Sequence, residues 1–190
     1  MLRFPPRLPH QPIFYPVVNV EYARQIARDW NTVDEQSGFA GFVTAFEVDN
    51  IYLSKFEPHT VGAVQHVEYW IPAADLASFN HSIRGAIRLE DGFHGPAFVG
   101  YVPEAFGLKG KDAVTQFLVL HESWQHSTFD VACEVSANRK IVFLNWMFWA
   151  KHDFSASGIS RDQRDMLLDR LKQCWELSHI EVPLPATRND

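Results

Sequence analysis

An imidazole, a carboxylate and an indole follow one another at alternate positions in the stretch from Val64 to Pro72, Val-Gln-His-Val-Glu-Tyr-Trp-Ile-Pro. Its β-branched and aromatic residues and its closing proline predict a strand. Side chains alternate along a strand, so His66, Glu68 and Trp70 share one face, and Gln65, Val67, Tyr69 and Ile71 share the other. A buried, unpartnered Glu68 would cost several kcal/mol, so its carboxylate either meets a partner or looks into a cleft. Two readings follow. The stretch is an edge strand with a solvated charged face, or it carries a catalytic or ligand-binding carboxylate. An ion pair from Glu68 to an arginine such as Arg88 would mark the first, and a concave pocket around it the second.

The bulk composition narrows the classes. A chain of 190 residues fits one domain, or one with a substantial extension, and buries roughly 70% of its unfolded surface. A hydrophobic fraction of 46% and a mean hydropathy of −0.17 suit a globular chain. With a net charge of −6 and no run of Lys or Arg beyond two, a nucleic-acid partner is disfavoured. Cys133 and Cys174 are too few for a disulfide framework, and the His121/His126 spacing fits no standard zinc pair, so no metal is expected. The longest apolar run, Ile141 to Ala150, contains Asn145 and is too short to span a bilayer core of ~30 Å. No membrane association and a cytoplasmic location are the expectations.

The elements that must position the focal stretch can be read in order. Pro5, Pro6, Pro9 and Pro12 force an extended arm. Ile13 to Val18 predicts a strand broken by Pro16. Asn19 caps a helix to Trp30 with Ala23, Ile26, Ala27 and Trp30 along its apolar stripe. Phe42 to Val48 alternates as a strand, and Asp49 or Asn50 caps a short helix to Phe56. Pro72 opens a helix with Leu76, Phe79 and Ile83 inward, and Ala86 to Glu90 is a last short strand. Asp91 to Gly110, with five glycines and two prolines, reads as a linker or lid. Beyond it, Asp112 caps a helix to Trp124 with Val114, Phe117, Leu118, His121 and Trp124 in one stripe. The alternation from Phe129 to Val135 and the apolar run from Ile141 to Trp149 predict two strands, with a single helix from Thr128 to Lys151 as the competing reading. Ser160 and Gln163 make a capping box for a last helix burying Leu167, Leu168, Leu171, Cys174 and Trp175. Val182 to Pro185 is an extended tail. The fold class is α+β: a mixed, mostly antiparallel sheet with flanking helices. Residues 1–96 form one region, and 97–190 form an α+β extension packed on it or continuous with it.

Two pieces, Phe4 to Val17 with Glu21 to Asn31, and His66 to Ala73 (His-Val-Glu-Tyr-Trp-Ile-Pro-Ala), resemble a family of small bacterial proteins labelled ADP-ribosylation/crystallin. The likeness covers residues ~4–90. The order of elements in this half is also similar to the ADP-ribosyltransferase fold, a split mixed sheet around an NAD cleft. That resemblance implies a catalytic role for Glu68, with His66 beside it, and NAD as cofactor. Glu68 would bind the nicotinamide ribose and stabilise the positive charge that develops as nicotinamide leaves. Tyr15 and Tyr22 would stack on the nicotinamide ring, against ordinary amphipathic packing as their other reading. Relatives of this kind open with a Leu-Tyr-Arg-Pro-Val strand and a helix, whereas this chain opens at Met1-Leu2-Arg3-Phe4. The expectation is therefore a late start or a degenerate enzyme. The label's kinship to ADP-ribosylglycohydrolases implies removal of ADP-ribose through paired aspartates, but Asp112, Asp165 and Asp169 read as caps or helix surface. The alternative is a non-catalytic binding or protein-interaction module. Trp124, Trp146, Trp149 and Trp175 would then offer a partner surface, and the apolar second half would favour self-association.

Overall fold

A computed structural model of the chain describes residues 3–104, 106–178 and 182–185. The chain divides into two compact units, Met1–Gly95 and Pro96–Asp190. The first is α+β and the second is helical.

In the first unit, β1 (Ile13–Phe14) leads through a bend to α1 (Val20–Gln25). The Asn19 side chain caps α1, its Oδ1 accepting from Glu21 N at 2.8 Å and Tyr22 N at 3.3 Å. The helix then widens into a π turn at Ile26–Trp30 and closes in a 3-10 turn at Asn31–Val33. This change of pitch shifts the inward face: Tyr22 and Ala27 are buried, while Trp30, expected inside, is 52% exposed. β2 (Ala40–Val48) follows, then α2 (Asn50–Leu53) capped by Asp49, which also grips Arg84. Three short strands come next: β3 (Pro58–Thr60), β4 (Val67–Tyr69) and β5 (Ile71–Pro72). A 3-10 turn at Ala73–Asp75 and α3 (Leu76–His81) lead into β6 (Ile83–His94).

Among the described residues all strand pairing in this unit is antiparallel, in three two-stranded sheets: β1 with β5, β2 with β6, and β3 with β4. The focal stretch is therefore not one strand. Val64 and Gln65 lie in a turn, and the ladder breaks at Trp70, where β4 turns from β3 to let β5 meet β1. The expected short strand at 86–90 is the middle of β6. Ile83 starts that strand instead of facing inward from a helix, and 91–94 continue it into the stretch read as a linker. Cross-strand partners on β2 supply what local composition did not show.

The core of this unit gathers Ile71, Leu76 and Phe79 with Phe4, Phe14, Phe46, Tyr52 and Tyr69 around them. The proline arm joins it through a reciprocal clamp: Phe4 N donates to Asn80 Oδ1 at 2.8 Å, and Asn80 Nδ2 donates to Phe4 O at 2.9 Å. Phe4 then packs on Phe14 and edge-on to Phe46, with centroids 4.6 and 5.0 Å away.

The second unit comprises α4 (Ala113–His126), α5 (Thr128–Ala137), α6 (Arg139–Lys151) and α7 (Arg161–Ser178). The strands expected at 129–135 and 141–149 are thus helices. In α5 the buried positions are Val131 and Val135, four apart, while Phe129 is 75% exposed and Cys133 is exposed, so the apparent alternation was helical periodicity. The run from Ile141 is a helix buried on several sides, a pattern that periodicity cannot separate from a central strand. The single-helix reading has the right state, but the chain breaks at Asn138 (φ −110°), whose amide donates to Glu134 Oε2 at 2.9 Å. In α4 the buried face is Ala113, Gln116, Phe117 and Leu120, rotated from the expected stripe. The rotation follows from a buried polar network. Asn145 Nδ2 donates to Tyr101 O and Gln116 Oε1, Gln116 Nε2 donates to Tyr101 O and Lys111 O, and Tyr101 N donates to Asn145 Oδ1. The capping box forms in both directions between Ser160 and Gln163, and α7 buries all five expected residues. Trp146, Trp149 and Trp175 are core, each indole N–H donating to a backbone carbonyl, so they form no partner surface.

Gly41 on β2 lies directly against the Ala27 carbonyl and leaves no room for a Cβ. Gly41→Ala is expected to destabilise the chain by about 2 kcal/mol or more through overpacking, read as a lower denaturant midpoint with an unchanged m-value.

Candidate functional site

Glu68 sits at the centre of β4, with backbone on both sides. His59 of β3 faces it across one ladder, and Val17 bridges it on the other. Val18 N donates to Val67 O at 3.0 Å, and Tyr69 N to Pro16 O at 2.9 Å, so the segment between β1 and α1 extends the β3–β4 pair. The residue is 9% exposed. Its carboxylate is held by neutral donors: Trp70 Nε1–H to Oε1 at 2.7 Å, and the Tyr22 hydroxyl to Oε2 at a longer 3.4 Å. Among the described residues no ion pair reaches it. Arg88 pairs with Glu90 instead, at 3.3 Å. The Tyr22 phenol titrates above its ordinary value, first because it is buried and then because the Glu68 charge and hydrogen bond disfavour a second anion there.

The other expected site residues surround this carboxylate. His66 stacks on Tyr22 with centroids 4.3 Å apart and planes 13° from parallel, and its Nε2 lies 3.1 Å from Gln25 Oε1, the geometry of an imidazole N–H donating to an amide oxygen. One face of the Tyr22 ring, where a nicotinamide would stack, therefore carries His66. Tyr15 is 48% exposed and meets Trp70 edge-on at 6.2 Å, while His59 stacks on Trp70 at 4.2 Å. Glu68 thus ties two aromatic pairs together, Tyr22–His66 and Trp70–His59. Tyr15 belongs to the second, so the two tyrosines do not form one platform.

A large concavity of this unit lies elsewhere. A trough of about 900 Å³ runs between β2 and the segment from Phe14 to Ala27, and neither Glu68 nor His66 lines it. Phe14, Phe46, Val48 and Ile26 contribute apolar walls, and Tyr15 stands at its margin. Its charged lining is Glu47, Asp49 and Glu90 against Arg84, an excess of two negative charges. Asp49 is held below the usual carboxylate range by Arg84 first and then by the α2 amides it caps, so it is ionised at neutral pH. The acidic lining was missed in the sequence. Its one signal was the pair Glu47 and Asp49 closing an otherwise apolar strand.

A smaller cavity of about 450 Å³ in the second unit gathers Lys151, His152, Asp153, Arg161 and Arg164. Its basic charge is partly committed: Arg164 donates to Asp165 at 2.7 Å and to the His152 carbonyl. Burial lowers the His152 imidazole below its usual value, with Asp153 opposing the shift.

No protein-family model, curated protein or solved structure significantly matches the chain. These comparisons neither add to nor subtract from the ADP-ribosylation resemblance. Among the described residues no helix is long and apolar enough to cross a membrane, and no cluster of three His, Cys, Asp or Glu is placed to hold a metal ion.

Because the raised Tyr22 value has two sources, Glu68→Gln is expected to lower it only part of the way, leaving the contribution of burial. Ultraviolet titration of the phenolate, with Tyr22→Phe as the blank, reads this. A phenol whose folded value is raised contributes stability that is present below about pH 10 and lost as pH rises through the folded value. The wild type should therefore lose stability above about pH 10 more steeply than Tyr22→Phe.

Proposed function

We propose that the N-terminal unit is a non-catalytic binding module whose site is the trough beside β2. The observation that carries this reading is the trough itself, a concavity of about 900 Å³ with apolar walls and a few convergent charged groups. It falls within the ~300–1,000 Å³ range of ligand pockets. The Glu68 carboxylate, by contrast, is occupied by an indole and a phenol and does not line the trough. Its geometry suits a structural keystone better than a group that must meet a ribose in the transition state. The negative excess of the trough favours a neutral or cationic occupant and opposes a pyrophosphate, which needs basic groups around it.

The NAD-directed reading, with Glu68 and His66 catalytic and Tyr15 and Tyr22 as platform, has one observation on its side. Tyr15 lines the trough and touches Trp70, whose N–H is bonded to Glu68, so a ligand at that end would be one side chain away from the carboxylate. The two readings separate experimentally. The module reading expects the neutral dye Nile red to bind the full chain with a blue-shifted emission. Ala45→Trp, which fills the trough wall, should weaken it at least tenfold with unchanged far-ultraviolet circular dichroism, and calorimetry should show no heat with NAD at millimolar concentration. NAD binding together with NAD turnover abolished by Glu68→Gln would replace the module reading with the catalytic one.

A further inference from the structure

We infer that the proline arm is a detachable segment docked in a peptide-binding seat, and that the seat takes the same segment when a second copy of the chain supplies it. Between Arg3 and Pro12 only Phe4 and Arg7 are half-buried, and the other residues are exposed. Pro5, Pro6, Pro9 and Pro12 stiffen the arm, and Pro5 holds Phe4 extended. The residues in between bond to one another: Gln11 N donates to Leu8 O and Arg7 Nη2 to Gln11 Oε1, each at 2.8 Å. At its far end the arm joins the unit where Pro12 O accepts from Ala73 N at 2.7 Å.

Phe4 is held as an extended peptide is held. The Asn80 side-chain amide accepts from its N–H and donates to its C=O. Those are the two bonds that a residue exchanges with its partner across an antiparallel ladder. A side-chain amide in that role reads backbone, so it grips any extended residue that presents both groups. Selection falls to the seat, where the Phe4 ring meets the rings of Phe14 and Phe46. Pro5 and Pro6 carry no N–H and do not prolong the ladder, which confines the grip to one residue. The chemistry recognised is thus an aromatic side chain on an extended residue followed by proline. Proline-rich segments suit aromatic-lined seats because a stiff chain loses little entropy on docking.

Three features make the arm removable. The residues buried at the heart of the adjoining cluster, Ile71, Leu76 and Phe79, lie on β5 and α3, and Phe4 packs at its margin. The guanidinium of Arg7 lies 5.9 Å over the Phe14 ring, yet among the described residues its buried Nε has no partner, which opposes docking. Asn80 is itself half-buried, so water reaches its amide once the arm leaves. An exposed, stiff segment with one anchoring side chain remakes the same contacts on a neighbouring copy, the low-cost exchange that joins protomers. Phe4, Phe14 and Phe46 also line the trough, so an emptied seat extends that concavity.

The test uses the full chain carrying Phe4→Ala, which empties the seat, and a fluorescein-labelled peptide of residues 3–12. The peptide should bind this variant by anisotropy. It should bind the wild type roughly tenfold more weakly or worse, because the tethered Phe4 competes at an effective concentration in the millimolar range. The same peptide with Phe4→Ala should not bind, and Asn80→Leu in the variant chain should abolish binding with unchanged far-ultraviolet circular dichroism. Hydrogen exchange of the unsubstituted chain reads release of the arm directly. The Phe4 amide should exchange at a rate insensitive to low urea, while the β2–β6 ladder amides exchange slowly and faster as urea rises. Three results would overturn the detachable arm: no peptide binding to the folded Phe4→Ala chain, equal binding to the wild type, or a Phe4 amide that exchanges only together with the ladder. Each leaves the module reading intact, since that reading is decided by Nile red binding to the wild type.

Discussion

The N-terminal unit depends on a buried carboxylate held by neutral donors. Glu68 lies in the middle of a three-residue strand with backbone bonded on either side, and it receives an indole N–H and a phenol O–H. Removing a carboxylate from water costs several kcal/mol before compensation, so the groups that satisfy it must stay in place. Satisfying Glu68 therefore fixes the orientation of Trp70, and with it the His59 stack. It also anchors Tyr22, and through it the first turns of α1 and the His66 stack. The β3–β4 pair and α1 are thus joined at one side chain.

That arrangement determines where the unit is open. With the segment before α1 drawn onto β4, and the π turn after α1 lying on β2 at the Ala27–Gly41 contact, a trough is left between β2 and the segment from Phe14 to Ala27. The walls of that space are continuous with the core around Phe14, Phe46 and Phe79. A recess of this kind is compatible with a stable unit because its margin carries charge. Asp49 serves two ends at once, capping α2 and pairing with Arg84 across the β2–β6 ladder. A group that the sequence marks as a helix cap thus also belongs to the charged rim.

The second unit solves its packing differently. Trp146, Trp149 and Trp175 are inside, and each of these indole N–H groups finds a carbonyl. Gln116 and Asn145 are both fully buried; Asn145 donates to Gln116 and both donate to the Tyr101 carbonyl, so the irregular segment before α4 is pinned to two helices. A fully satisfied polar network of this kind specifies one helix rotation over its alternatives, since any slip leaves amides unpaired.

Signals that act over a few residues were readable from the sequence. Asn19, Asp49, Asp112 and the Ser160–Gln163 box cap the helices they were expected to cap, because a cap is a local hydrogen bond between a side chain and amides two or three residues away. The inward face of α7 and the α+β class of the first unit follow from strong periodicity in the same way. What depended on distant partners was not readable. The helical state of 128–151 rests on burial from several sides, the length of β6 on β2, and the break at Trp70 on two different strands competing for its neighbours. The sequence marked Glu68 as a carboxylate in need of partners. Only tertiary structure decided that Trp70 and Tyr22 meet that need, and that a concavity forms beside β2, because hydrogen-bond satisfaction and the packing that leaves a space are properties of residues far apart in the chain.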